Sequence, residues 1–164
     1  MELRVLRLLM PKNSQDMEVA RALVSLDPTE LAPVIPEMLR QLKNLDSPVT
    51  KIYSEFFARN GERYVEDVGR LLGRSTMPEA KWVIVSQILP SWSVSAVERL
   101  QGTLGMLLTA PDFWGTDLWC IRLLARHSLL ERDSLEQWLD FKRKRLCALS
   151  KMATEVAKEM GVSE

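Results

Sequence analysis

The sequence predicts an all-α protein in which antiparallel helix pairs stack side by side and a long C-terminal helix closes the array. Three observations predict it. Apolar residues recur at helical spacing: Val34, Ile35, Met38, Leu39 and Leu42 form one stripe, and Val49, Ile52, Tyr53, Phe56 and Phe57 form the next. No run of strict alternation bounded by turn residues argues for a strand. The stretches between stripes are short, so each stripe finds its apolar partner in the next helix, as an antiparallel hairpin.

Taken in order, helices are predicted near 2–10, 14–25, 29–44, 48–59, 62–73, 78–89, 95–109, 116–128 and 133–160. The start near 29 is marked by Asp27, Pro28 and Glu30, an acidic N-cap followed by proline and a carboxylate. The join "LKNLDSPVTKIYSEFF", Leu42 to Phe57, ends one helix in a polar turn and opens another at Pro48. Thr76 with Glu79 and Ser95 with Glu98 have capping-box spacing, and Asp133 with Glu136 is its acidic version. The turn "APDFWGTD", with Pro111, separates the helices near 95–109 and 116–128.

Sliding the sequence against itself by thirty residues makes the join recur. Pro48 falls on Pro78, Val34 on Tyr64, Ile35 on Val65, Met38 on Val68, Leu42 on Leu72, Ile52 on Trp82 and Tyr53 on Val83. A helix pair cannot bury its apolar face alone, so repeated pairs stack into a continuous core. The expected organisation is one domain: N-terminal helices over 1–28, stacked pairs over 29–128 and a capping helix over 129–164.

In that last segment Leu135, Leu139, Lys142, Leu146, Leu149, Ala153, Val156 and Met160 alternate at spacings of four and three, a heptad seam interrupted by one lysine. Trp138, Phe141 and Met152 widen it beyond a two-helix seam, which favours a cap docked on the stack, and a monomer, over a homodimer. The run Lys142 to Arg145 reads as the solvated side of the helix.

Charge and composition narrow the function. With 22 Lys+Arg against 22 Asp+Glu, the whole-chain field does not attract phosphate backbones or anionic membranes. No segment approaches the roughly 20 apolar residues of a membrane span, and Glu2, Arg4 and Arg7 spoil a signal-peptide reading of the first residues, so a cytoplasmic location is expected. Cys120 and Cys147 lie in apolar helical sequence and read as reduced core thiols. No Gly-rich phosphate loop and no His/Cys/carboxylate cluster with metal-ligand spacing is found, so neither cofactor nor metal is expected. The single histidine, His127, ends a helix, where a cation favours the dipole.

The segment "LAPVIPEMLRQLKNLDSPVTKIYSEFF", with its Leu-x-Pro opening, Leu-rich first helix, Asp-x-Pro-Val turn and apolar second helix, resembles a HEAT repeat. Over residues 8–110 the chain also resembles a family of small bacterial all-helical proteins of unknown function. The resemblance is carried by Pro11, Lys12 and Asp16, by Pro36 to Leu39, by Pro48-Val49 and by the Trp-containing "EAKWVIVSQILP"; Gln41 and Ser47 stand where that family has aromatic residues. The resemblance implies a right-handed α-α superhelix and supplies no activity.

Two functional classes follow. The first is a non-catalytic protein-binding module, in its most specific form an immunity-type protein occluding a cognate toxin. Glu55, Trp92, Asp112, Phe113, Trp114 and Asp117 are its candidate contact residues, chosen as aromatic and acidic groups in or near turns. The alternative is a HEAT-like nucleic-acid binder or DNA glycosylase-type enzyme, with Asp112 or Asp117 as the acid and Trp82, Trp92, Phe113, Trp114 and Trp119 as stacking rings. Basic residues do not concentrate near these rings, and Trp82 and Trp119 fall within apolar stripes, which reads as core.

Overall fold

A computed structural model describes residue 6 and residues 9–74, 76–110 and 112–160. The described residues are helices and turns, with no strand among them. They form α1 (Met17–Val24), α2 (Ile35–Gln41), α3 (Pro48–Asn60), a 3-10 turn (Gly61–Tyr64), α4 (Val65–Arg74), α5 (Pro78–Val83), a π turn (Ile84–Ile88), a second 3-10 turn (Leu89–Ser91), α6 (Val94–Glu98), α7 (Gln101–Thr109), α8 (Thr116–Arg126) and α9 (Arg132–Glu159). The helix predicted at 2–10 lies mostly outside the described residues; Leu6 and Met10 are buried. The chain divides into two compact units, Met1–Leu129 and Leu130–Glu164.

Local chemistry explains where helices start. Ser47 caps α3, its side chain accepting from the Thr50 amide, and Pro48 takes the first turn, where no amide is needed. Thr50 in turn donates its hydroxyl to the carbonyls of Gln41 and Asn44, tying α3 to the end of α2. The helix expected from residue 29 begins only at Ile35. Asp27 instead closes a turn on the Thr29 amide and hydroxyl, and Pro33 interrupts regular helix before α2 because it lacks an amide and disfavours helix in the residue before it, whereas Pro36 is tolerated in the first turn of α2. Ser93, not Ser95, caps α6. Neither Thr76 nor Asp133 is a cap: α5 opens after Met77 and α9 after Glu131.

The helix predicted over 78–89 is continuous in direction but changes pitch at Ile84. Pro90 follows the change: in regular α-helix its ring would collide with the carbonyl of Ser86 and it has no amide to donate there, and the wide turn, with the Leu89 amide on the Ile84 carbonyl, precedes it.

Within the first unit, α2 touches α4 and α4 touches α7, while α1 touches α3, α3 touches the π turn and the π turn touches α8. Hairpin contacts join α2 to α3 and α7 to α8. Residues related by the thirty-residue shift have matching environments. Ile35 and Val65, Met38 and Val68, Leu42 and Leu72, and Tyr53 and Val83 are buried pairs, whereas Ile52 and Trp82 are both partly exposed. Among the largest fully buried side chains are Tyr53, Phe57, Met38, Leu72, Ile84 and Ile88. Phe56, Phe57 and Tyr64 stack mutually with centroids 5.3–5.7 Å apart, and the Tyr64 hydroxyl donates to the Pro28 carbonyl.

The second unit is the single helix α9 and its approach. Two expectations for it fail. Cys147 is exposed, because it lies off the heptad seam on a helix that remains largely exposed around Cys147; Cys120 is buried as expected. Lys142 is not on a solvated side but only 4 % exposed, its ammonium 5.7 and 5.5 Å from the Trp138 and Phe141 rings.

Candidate functional site

Three of the six candidate residues, Asp112, Phe113 and Trp114, fall in the turn between α7 and α8, whose backbone is closely held, and a fourth, Asp117, follows in the first turn of α8. The Asp112 carboxylate accepts from the Thr116 amide at 3.0 Å, and the Asp112 carbonyl faces the Gly115 amide at 3.5 Å. Gly115 adopts φ +69, the left-handed region where a side chain would be strained, and its carbonyl receives the amides of Leu118 and Trp119. Asp117, only 6 % exposed, sits in the first turn of α8 and accepts from the Leu118 amide at 2.9 Å. Both carboxylates are therefore used where the helix N-terminus favours negative charge.

Between these fixed points Phe113 is 95 % exposed. Its ring stands edge-on to Trp114, with centroids 5.9 Å apart at 90°, and Trp114 lies tilted against Trp82 at 6.4 Å. Trp82 comes from α5 and, like Trp114, is partly exposed. Beside it, burial pushes the Lys81 ammonium below the usual lysine range, with the Asp112 carboxylate and the Cys120 thiol opposing the shift. One turn along α8, the Arg122 guanidinium lies over the Trp119 ring at 4.9 Å, beside a hollow of about 270 Å³ that also includes Arg126, Ser86 and Pro90. The result is a row of rings with Phe113 at its tip.

Lys81 is not among the sequence candidates, and Trp82, named there as a stacking ring but read as core, is partly exposed. Trp82 aligns with Ile52 under the repeat and so reads as core; the matching partial exposure of that pair is visible only in three dimensions. Trp119 likewise keeps part of its ring exposed.

The remaining two candidates are elsewhere. Glu55 is exposed on α3 and lines a groove of about 620 Å³ between α1 and α3 with Arg21, Lys51 and Arg59. Trp92 corrects the expectation of a contact residue. It is 5 % exposed, its indole N–H donates to the Phe57 carbonyl at 3.0 Å, and its ring lies directly on Gly61. A residue in a turn has gone inside because a glycine at position 61 leaves room for it.

Among the described residues no three His, Cys, Asp or Glu side chains are grouped so as to hold a metal ion, and no helix is long and apolar enough to cross a membrane. His127 caps the C-terminus of α8, with its Nε2 buried and unpartnered among the described residues. No protein-family model, curated protein or solved structure matches the chain.

Proposed function

We propose that this protein is a non-catalytic protein-binding module built on a HEAT-like, right-handed α-α superhelix, with the turn at Asp112–Gly115 as its anchor. The observation that carries the reading is Phe113: a fully exposed aromatic ring on a turn held at both ends and backed by Trp114 and Trp82. Aromatic side chains are over-represented among residues that dominate binding energy, and a pinned turn loses little entropy when it docks. The row contacts α2–α4–α7 and α1–α3–π turn–α8, with the repeat-related burial, support the superhelical arrangement. In its most specific form the partner is a cytoplasmic bacterial toxin whose working surface is occluded; this rests on analogy with small, charge-balanced helical proteins.

Affinity capture of the tagged protein from its native cells, with and without nuclease, tests the proposal when run beside Phe113→Ala. The expected result is one stoichiometric protein that survives nuclease and is lost with the variant, whose affinity falls by at least about 2 kcal/mol. Phe113→Ala should leave stability within about 0.5 kcal/mol, since the ring is in solvent. Recovery of nuclease-sensitive material alone would reject the proposal in favour of a HEAT-like nucleic-acid binder or DNA glycosylase-type enzyme, whose binding falls steeply with salt.

A further inference from the structure

The face of α9 from Leu146 to Met160 is apolar, periodic and exposed. Leu146, Leu149, Val156 and Met160 are 51–73 % exposed along the heptad seam, and Met152 beside them is 60 % exposed. Arg145 and Glu159 flank the same seam, both exposed and with no ion-pair partner among the described residues. Single exposed apolar residues need no explanation, but a regular stripe flanked by two opposite charges does.

We infer that this face pairs with a second copy of itself, as an antiparallel two-helix contact whose two-fold axis passes beside Met152. The seam is self-complementary in that register. Leu146 lies opposite Val156 of the second copy, and Leu149 lies opposite Ala153, a large side chain against a small one. On one flank Arg145 faces Glu159 of the second copy, twice by symmetry, and Met152 faces Met152. The parallel register loses these features: Ala153 meets Ala153 and leaves a gap, and Arg145 meets Ser150 instead of a carboxylate. Opposite charges at flanking positions are the usual device that sets helix orientation.

The contact extends over about 15 residues, roughly 22 Å of helix. That is short of the roughly 800 Å² per partner of a standard interface, so the dimer is reversible, with a dissociation constant in the micromolar range. It uses none of the residues of the aromatic turn and is independent of the function proposed above.

Sedimentation equilibrium of the full chain from about 1 to about 500 µM brackets such a constant. The average mass should rise with concentration to twice that of one chain. Leu149→Glu should weaken the dimer at least tenfold or thereabouts, Arg145→Glu should weaken it, and Arg145→Glu with Glu159→Arg should restore it, because the swapped charges again face each other only in the antiparallel register. Lys151→Glu, on the opposite side of α9, should change nothing. These side chains are exposed in the single chain, so circular dichroism of each variant should match the wild type. A constant single-chain mass overturns the proposal, as does a dimer indifferent to Leu149→Glu or a double charge swap no better than the single reversal.

Discussion

Gly61→Ala places one methyl group where Trp92 already is. A Cβ at position 61 would stand 1.7 Å from Trp92 Nε1 and 1.9 Å from Cε2, far inside any tolerated contact, so the indole must move. Moving it breaks the 3.0 Å bond to the Phe57 carbonyl in a buried setting, which costs about 1–3 kcal/mol. Displacing the ring within a packed core costs about 1–3 kcal/mol more. Against this, Gly61 has helical angles, φ −56 and ψ −42, and alanine is favoured over glycine in helix by about 1 kcal/mol. The net expectation is a loss of about 3 kcal/mol, a fall in Tm of roughly 10 °C for a chain of this size. Urea unfolding followed by far-UV circular dichroism measures it, in the wild-type and Trp92→Leu backgrounds. In the second the ring is absent, so Gly61→Ala should be neutral or stabilising. A cost below about 1 kcal/mol, or the same cost in both backgrounds, refutes the packing argument.

Two further perturbations test the same structure. Ser128 has φ +56 and closes α8 with the Leu129 amide on the Leu124 carbonyl and its own amide on Ala125, a Schellman ending with serine where glycine is usual; Ser128→Gly should stabilise by about 1 kcal/mol in thermal unfolding. The Tyr53 hydroxyl is buried without a partner among the described residues, and burial raises its pKa, so Tyr53→Phe should be neutral or stabilising by about 1 kcal/mol. Because the folded phenol ionises later than the unfolded one, whose pKa is about 10, stability should hold below that pH and fall above it, less steeply in Tyr53→Phe than in the wild type.

Legibility followed sequence separation. The start of α3 could be read because Ser47, Pro48 and Thr50 settle it among themselves. The late start of α2 turned on Pro33, whose local restrictions outweighed the capping signal at Asp27. Asp112, Phe113 and Trp114 lie together because one short turn holds them, with Asp117 just inside α8, whereas Trp92 was misplaced since its partners, Phe57 and Gly61, are more than thirty residues away. Lys81 went unnoticed and Trp82 read as core because what brings Trp82 to Trp114 is the contact between α5 and α8, which spacing does not show. The exposure of Cys147 was legible in the heptad, which leaves it off the seam; its apolar neighbours made it read as core.

The wide turn at Ile84–Ile88 offsets the end of the helix that carries it. Five residues complete a hydrogen-bonded loop where regular α-helix would use four, so the following side chains are turned back by about 100° relative to an unbroken helix. Beyond it the 3-10 turn Leu89–Ser91 leads to Trp92, whose ring covers Gly61. The wide turn, the proline six residues after Ile84 and the bare glycine under Trp92 thus lie along one short path, on which a one-residue offset, the end of the helix and a gap that takes a ring follow in turn.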